Sequence, residues 1–335
     1  MVIRGQVFKI HSDFYYVKCE NEVLECKLRE VLKKQQKKVV VGDFVEVEDE
    51  KIQNFLPRIN YIPRPAVSNI DQMIIVSAVK EPELNFTQLD RYICFAKYYK
   101  IPVKLCFNKS DLSYDDKFIE KVFSIYEPLG YDIIFTSALE KDNIEEFEEI
   151  LKGKTSALCG NSGVGKSSLI NAINPELELR TKNVSEKTER GTHTTRHCEI
   201  FNLSEDIRII DTPGFSNLKF DFMLPLEISN LFEEFDKYKG LCKYSDCLHI
   251  HEDGCAILEN IQNVSKTRYN SYVSFTEEAK EYKERIKYSG TKEETFSKEH
   301  NNKSMAKISS KKRQDSRKLS KQKLEKEDME NETIY

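Results

Sequence analysis

One short segment, residues 160–167, constrains the fold of this chain more than any other, and it reads G-N-S-G-V-G-K-S. The apolar stretch 155–159 precedes it, and the apolar residues of 168–173 follow at helical spacing. A glycine-rich loop between a strand and a helix lets backbone N–H groups surround phosphate oxygens at the positive end of the helix dipole. The pattern therefore predicts a strand–loop–helix unit of an α/β domain that binds the phosphates of a nucleotide.

The last residues of this loop carry the charge and the hydroxyl that such a site needs. The ammonium of Lys166 offers positive charge to the β- and γ-phosphates, and the Ser167 hydroxyl can ligate Mg²⁺. Farther along, an apolar run leads to D-T-P-G at 211–214, which predicts Asp211 near the metal ion and the Gly214 amide near the γ-phosphate. The predicted phosphate-binding residues are Gly160, Asn161, Ser162, Gly163, Val164, Gly165, Lys166, Ser167, Ser168 and Gly214.

Two further motifs follow buried-strand patterns earlier in the chain. N-K-S-D at 108–111 comes after the apolar run 103–107, and T-S-A at 136–138 comes after 133–135. A carboxylate at Asp111 can accept hydrogen bonds from N1–H and the 2-amino group of guanine, which adenine does not offer. Both motifs resemble guanine-recognition elements of GTPases, so we predict GTP rather than ATP. The predicted guanine-binding residues are Asn108, Lys109, Asp111, Ser137 and Ala138.

The order of these motifs is unusual. In an ordinary GTPase the guanine elements follow the phosphate loop, whereas here positions 108 and 136 precede position 160. The sheet can remain the same, because the termini of compact domains often lie close together. We therefore predict a circularly permuted GTPase domain.

The flanking sequence predicts further domains. Residues 1–66 contain short stretches of alternating polarity, which predict an all-β OB-like barrel, a fold that often binds RNA. A basic loop at 33–38 is equally well explained as a solvated turn or as an RNA contact. Prolines mark the boundary to the α/β GTPase domain, 67–222, and a mainly helical domain is predicted for 223–290. The Lys-rich tail, 291–335, lacks apolar periodicity and is predicted to be disordered.

Three of the nine cysteines fall between positions 242 and 255, with two histidines among them. Cys242, Cys247, His249 and Cys255 form a complete tetrahedral ligand set for one structural Zn²⁺, with no position left for a catalytic water. His251 is a competing ligand on spacing alone. The odd number and the clustering of the cysteines favour a reducing compartment over a disulfide framework.

Between the phosphate loop and Asp211 lies a segment rich in hydroxyl groups and glycine, E-R-G-T-H-T-T-R at 189–196, which predicts a switch loop with a Mg²⁺-binding threonine. Many GTPases place a glutamine just after D-x-x-G to orient water. Here that position is Phe215, so His193 is the best nearby candidate. A loop histidine without a catalytic role is the alternative reading of His193.

The charge balance of the whole chain, 52 basic against 56 acidic residues, does not by itself indicate a nucleic-acid partner. No apolar run reaches the roughly 18–20 residues of a membrane span. The N-terminal residues lack the apolar core of a signal peptide. We therefore expect a cytoplasmic protein with no membrane partner.

These motifs and their order resemble one family, the ribosome small subunit-dependent GTPase A (RsgA, YjeQ or YloQ) family, over residues 1 to about 290. The resemblance implies an OB-fold domain, a permuted GTPase domain and a zinc-bearing helical domain. It implies a bacterial cytosolic factor that binds the 30S subunit late in its maturation. We expect a monomeric protein, with 16S rRNA as the RNA partner. It also implies slow GTP hydrolysis that the 30S subunit stimulates and that is linked to release of another assembly factor.

The resemblance also assigns residues. It implies His193 as the catalytic histidine, Thr195 as a ligand of Mg²⁺ together with Ser167 and Asp211, and His249 rather than His251 as the zinc ligand. The sequence departs from the family pattern at Arg196, where a third threonine is common. Phe215 leaves one alternative function open, a GTP-timed RNA-binding module with negligible turnover. A GTPase that acts on tRNA or on the large subunit is a second alternative.

Overall fold

The computed structural model describes residues 2–20, 22–34, 38–112, 116–177, 198–211, 218–220, 222–289, 297–300 and 303–306. The chain divides into two compact units. One comprises Met1–Leu218 with Ser265–Ser271, and the other comprises Lys219–Val264 with Tyr272–Tyr335. This division into two units does not test the predicted domain limits, which remain predictions: 1–66, 67–222, 223–290 and 291–335.

The first unit begins with a closed barrel, as the alternating polarity predicts. Its elements are β1 (Ile3–His11), β2 (Phe14–Lys18), β3 (Val23–Leu28), α1 (Glu30–Lys34), β4 (Phe44–Glu48) and β5 (Lys51–Phe55). The strands close in the order β1-β2-β3-β5-β4-β1, with only the β3–β5 pair parallel among these strands. Alternate residues point inward because successive side chains of a strand lie on opposite faces. The buried positions include Val7, Val17, Cys26, Val45, Val47 and Ile52.

A short hairpin, β6 (Tyr61–Pro63) and β7 (Ala66–Ser68), follows the barrel. The buried carboxylate of Asp43 accepts hydrogen bonds from Arg58 Nε at 2.7 Å and from Ser68 Oγ at 2.6 Å. The backbone N–H of Val40 also donates to Asp43, at 2.8 Å. One buried carboxylate therefore holds both the segment before the hairpin and the last residue of the hairpin.

The rest of the first unit is the predicted α/β domain. Its elements are β8 (Gln72–Ala78), α2 (Phe86–Tyr98), β9 (Val103–Asn108), α3 (Asp116–Tyr126), β10 (Asp132–Thr136), α4 (Ile144–Leu151), β11 (Thr155–Cys159), α5 (Lys166–Ile173), β12 (Glu199–Asn202) and β13 (Arg208–Asp211). The sheet order is β10-β9-β8-β11-β13-β12, parallel except for β12. Strands such as β8 are buried along nearly their whole length, as expected when helices cover both faces of a parallel sheet.

One strand pairing joins the barrel to this sheet. Lys9 of β1 lies opposite Glu199 of β12, and their side chains form an ion pair at 3.1 Å. The barrel and the α/β sheet are therefore one continuous set of hydrogen-bonded strands.

The second unit is built mainly of short helices. Its elements are α6 (Pro225–Ile228), α7 (Ala256–Glu259) and most of α8 (Lys266–Ser289), whose first residues belong to the other unit. Its core is aromatic: Phe232 packs edge-on against Tyr272 at 5.3 Å between ring centroids, and Phe235 packs against the same ring at 4.8 Å. No helix in the described part of the chain is both long enough and apolar enough to span a bilayer.

Two short strands, β14 (Ser297–His300) and β15 (Lys303–Ala306), pair antiparallel within the tail that we predicted to be disordered. The polar composition of the tail concealed this local pairing, which needs only backbone hydrogen bonds. Isolated two-stranded hairpins are at best marginally stable, so this pair does not amount to a further domain. The rest of the tail, 291–296, 301–302 and 307–335, lies outside the described residues.

Candidate nucleotide site and metal centre

The glycine-rich loop connects β11 to α5, in the strand–loop–helix arrangement that the sequence predicts. Gly160 has a φ of +142°, and a Cβ there would lie 2.0 Å from the carbonyl oxygen of Val76. Gly165 has a φ of +93°, and a Cβ there would lie 2.2 Å from Nδ2 of Asn108. Both positions need glycine for backbone conformation and for space. The loop therefore passes close to β8 and to the end of β9.

The ammonium of Lys166 is folded back over this loop. Its Nζ donates to the carbonyl oxygens of Gly160 and Asn161, each at 2.8 Å. An ammonium group held in this position has donors that phosphate oxygens can take over when they enter the loop. Ser167 and Ser168 lie in the first turn of α5, beside Lys166.

Asn108 links the two guanine motifs to the phosphate loop. Its side chain is buried, with Nδ2 donating to the carbonyl oxygen of Val164 at 2.9 Å. Its Oδ1 accepts a hydrogen bond from the backbone N–H of Ala138 at 3.2 Å. One amide side chain therefore touches the loop after β11 and the loop after β10.

The remaining guanine candidates lie at the ends of β9 and β10. Ser137 Oγ donates to Oδ1 of Asp111 at 2.5 Å, and the backbone N–H of Ser110 donates to the carbonyl oxygen of Thr136 at 3.0 Å. Lys109 Nζ donates to the carbonyl oxygen of Glu81. Asp111 is exposed while Ser137 is buried, so the serine orients a carboxylate that remains open to a ligand. The structure thus brings together all five predicted guanine residues around the phosphate loop.

Four side chains of the second unit converge in the geometry of a metal centre. The ligand atoms of Cys242, Cys247, His249 and Cys255 all lie within 4.8 Å of one another. Nδ1 of His249 lies 3.5, 3.3 and 3.4 Å from the three sulfur atoms in that order, and the Cys242 and Cys255 sulfurs are 4.0 Å apart. A tetrahedral zinc site with usual bond lengths has edges of about 3.5 Å for S–N and 3.8 Å for S–S. The cluster can therefore hold one metal ion, with His249 and not His251 in the set.

Comparisons with known proteins identify the family of this chain. A family model described as RsgA GTPase matches residues 55–221, and another described as RsgA N-terminal domain matches residues 4–54. The small ribosomal subunit biogenesis GTPase RsgA of Agathobacter rectalis is 38% identical over 296 residues, which cover 82% of this chain and 98% of that protein. The chain belongs to the RsgA GTPase family. It is a GTP hydrolase.

Solved structures of RsgA relatives share the fold. The crystal structure of YjeQ from Thermotoga maritima has a TM-score of 0.73 and 36% identity, and it covers 83% of this chain and 99% of its own. YloQ, described as a circularly permuted GTPase, has a TM-score of 0.69 and 30% identity, with 84% and 96% covered. The predicted circular permutation is therefore confirmed.

Part of the predicted RsgA site lies outside the described residues. His193, Thr195, Arg196, Gly214 and Phe215 all lie there. The backbone of Asp211 ends β13, beside the strand that leads to the phosphate loop, while its side chain is not described. The roles predicted for these switch-loop residues therefore remain predictions.

Three consecutive residues of α2 make contacts within the first unit that no motif predicted. Tyr92 OH donates to Oδ1 of Asn161 in the phosphate loop at 3.2 Å, and burial raises the pKa of Tyr92 to about 12. Arg91 Nη1 donates to the carbonyl oxygen of Leu218, at 3.3 Å, and the neighbouring Asp90 is fully buried. The sequence predicted this helix only by apolar spacing. Contacts between residues so far apart leave no local signal.

Glu252 is a further residue that sequence reasoning missed, and it supports the metal loop. Its carboxylate accepts hydrogen bonds from the backbone N–H groups of Leu248 at 3.0 Å, Ile250 at 2.9 Å and His251 at 3.1 Å. Burial opposes the charged form, but these hydrogen bonds outweigh burial and lower the pKa of Glu252 to about 2. Burial also raises the pKa of the Cys247 thiol, and a metal ion bound at the cluster would favour its thiolate form.

Proposed function

We propose that this RsgA family member acts in biogenesis of the small ribosomal subunit, hydrolysing GTP in response to the 30S particle. The observation that carries the proposal is the pair of hydrogen bonds of the Asn108 side chain, one to the phosphate loop and one to the loop after β10. Relatives that match 82% and 85% of this chain are named small ribosomal subunit biogenesis GTPases. We propose that the small ribosomal subunit is the partner of this chain as well.

In the proposed site, guanine is read at the carboxyl ends of β9 and β10. Asp111 accepts hydrogen bonds from N1–H and the 2-amino group while Ser137 holds the carboxylate in position. The backbone N–H of Ala138 donates to Asn108 and so fixes the loop after β10 beside the base. Lys109 and Asn108 form part of the pocket wall. Asn108 also links this wall to the phosphate loop through its hydrogen bond to Val164. Adenine lacks these two donors, so it would leave the Asp111 carboxylate without hydrogen bonds from the base. This difference is the physical basis of the preference for GTP.

Hydrolysis requires positioning and charge stabilisation more than covalent chemistry. We assign stabilisation of the transferring phosphoryl group to the loop amides of 160–165 and to Lys166. Mg²⁺, when bound, neutralises charge on the phosphate oxygens, and the donor set proposed for it is Ser167, Thr195 and Asp211. His193 orients the attacking water, because Phe215 stands where many GTPases have a glutamine.

The Cys/His cluster fits zinc by donor chemistry and by its inter-ligand distances. Three sulfurs and one imidazole complete a tetrahedron, so the ion would stabilise the second unit and would not activate water. We propose zinc as the resident metal.

The partner is the 30S subunit with its 16S rRNA, bound late in assembly by a monomeric cytoplasmic protein. The barrel and the metal-bearing unit would supply the RNA contacts. Hydrolysis would then serve as a checkpoint that ends the association and releases another assembly factor. A negligible turnover in every condition would instead favour a GTP-timed RNA-binding module.

GTP turnover by the purified chain, alone and with isolated 30S or 50S subunits, tests the proposal, and ATP serves as the nucleotide control. We expect slow turnover alone and strong stimulation by 30S subunits only. His193→Ala should abolish the stimulated rate while GTP affinity is kept. Equal rates with and without 30S subunits, mature or immature, would contradict the proposal.

A further inference from the structure

A cavity of about 430 Å³ opens beside the Cys/His cluster, entirely within the second unit. Three cluster residues, Cys242, Cys247 and His249, line the cavity together with Ile257 and with other residues between 226 and 245. Its volume greatly exceeds the space of one metal ion and falls within the range of small-ligand pockets, roughly 300–1,000 Å³. The cavity therefore has room for a small ligand beside the metal centre.

The cavity has an aromatic lining that is partly open to solvent. Phe235 and Tyr238 line it as buried rings, whereas Tyr244 lines it with 48% of its surface exposed. Leu226, another lining residue, is 44% exposed. Exposed aromatic rings beside a cavity are the usual platform on which proteins stack an unpaired base.

Outside the metal cluster, the charged side chains that line the cavity are cationic. Lys239 and Lys243 line it, and none of its lining residues, all of them described, carries a carboxylate. The ammonium of Lys239 pairs with Asp236 at 2.7 Å, outside the lining. In a chain with more acidic than basic residues, this cavity is a local exception. An anionic ligand complements it.

The cation and the exposed ring are neighbours in space. Nζ of Lys243 lies 5.2 Å from the ring centroid of Tyr244. The stem of Lys243 packs on Gly254, where an added Cβ would come within 2.9 Å of Lys243 Cβ. The backbone N–H of Lys243 also donates to the carbonyl oxygen of Gly254 at 2.9 Å. The metal-binding loop thus holds a cation beside an aromatic face.

We propose that this cavity binds one unpaired nucleotide of an RNA chain, with the base on Tyr244 and the phosphate at Lys243 and Lys239. The inference rests on the proposed action at the small subunit, and it deepens that function by assigning single-stranded RNA to the second unit. A nucleotide carries a flat apolar base and an anionic phosphate, which match the adjacent ring and ammonium. A protein partner would not require an aromatic ring and an ammonium group side by side.

The test is binding of a short, fluorescently labelled single-stranded oligouridylate to the full, metal-loaded protein. We expect Tyr244→Ala to raise the Kd about tenfold, because one base-stacking contact is lost. Tyr244→Phe keeps the ring and should restore the affinity of the parent. Lys243→Ala should weaken binding and lower its salt dependence. Lys283→Ala, an exposed lysine of α8, is the matched control and should change nothing.

A second measurement locates the contact. Oligouridylate with 4-thiouridine should cross-link to residues 239–244 and lose this cross-link in Tyr244→Ala, with the metal-to-protein ratio unchanged. An unaltered Kd for Tyr244→Ala, or cross-links confined to other segments, would overturn the inference. A probe attached at position 244 can also be cross-linked on 30S particles. If it cross-links to ribosomal protein instead of rRNA, the inference is overturned and the cavity is a protein-binding site. The 30S-stimulated GTP turnover of the parent is measured separately, so failure of the proposed function is distinguishable from failure of this site.

Discussion

Asp90 and Arg268 form an ion pair in which both side chains are completely buried, with Nη1 and Oδ1 3.0 Å apart. The same carboxylate accepts hydrogen bonds from Ser271 Oγ at 2.6 Å and from Tyr126 OH at 2.8 Å. Both of its oxygens are therefore used, and the charge is compensated by one cation. This network ties α2 and α3 to the first turns of α8, which belong to the same unit.

Asp90→Ala should be among the most destabilising single substitutions in the first unit. It leaves the buried guanidinium of Arg268 without its counter-charge, which costs about 3–5 kcal/mol of unfolding free energy. Urea unfolding of the parent and the variant measures this. Asp236→Ala, which removes an ion pair whose side chains are half exposed, is the control and should cost less than about 1 kcal/mol. Equal costs for the two variants would contradict our account of the buried pair.

Asp111→Ala should impair GTP binding and leave the weak binding of ATP unchanged. The lost hydrogen bonds involve a charged acceptor, so the Kd for GTP should rise about 10- to 100-fold. Titration with fluorescent GTP and ATP analogues measures both constants. Ser137→Ala removes only the group that orients the carboxylate and should have a smaller effect. If the discrimination between GTP and ATP survives in Asp111→Ala, the guanine assignment is wrong.

His249→Ala should reduce the bound metal well below one ion per chain and lower the melting temperature of the second unit. His251→Ala is a closely matched control, because His251 lies two positions away and outside the ligand set. Elemental analysis and thermal unfolding with and without chelator measure the two effects. Metal loss in His251→Ala with retention in His249→Ala would reverse the ligand assignment.

Glu252→Gln should destabilise the second unit by about 2 kcal/mol at neutral pH, because three backbone N–H groups lose a charged acceptor. The pKa of Glu252 in the folded state, about 2, lies below the ordinary value of 4.5. Its stabilisation is therefore complete above the ordinary pKa and is lost as the pH falls from about 5 towards 2. The difference in unfolding free energy between parent and variant should shrink over that interval. A difference that stays constant with pH would show that the charge of Glu252 contributes nothing.

The sequence alone predicted the parts of this protein that depend on contiguous residues. The phosphate loop needs glycines at fixed spacing between a strand and a helix, and the guanine motifs need strand ends before them. Alternating polarity predicted the barrel, because it reflects a strand with one buried face. These signals are local, so no knowledge of the fold was required to find them.

Tertiary structure decided the rest. The sequence pattern alone left His249 and His251 as alternatives, and the position of Nδ1 among three sulfurs selected His249. The pairing of Lys9 with Glu199 and the contact of Tyr92 with Asn161 join residues that are far apart in the chain. The sequence determined which chemistry this protein carries, because motifs are short. Only the fold determined which distant side chains support it, because burial and pairing at Asp90 depend on every element packed around that carboxylate.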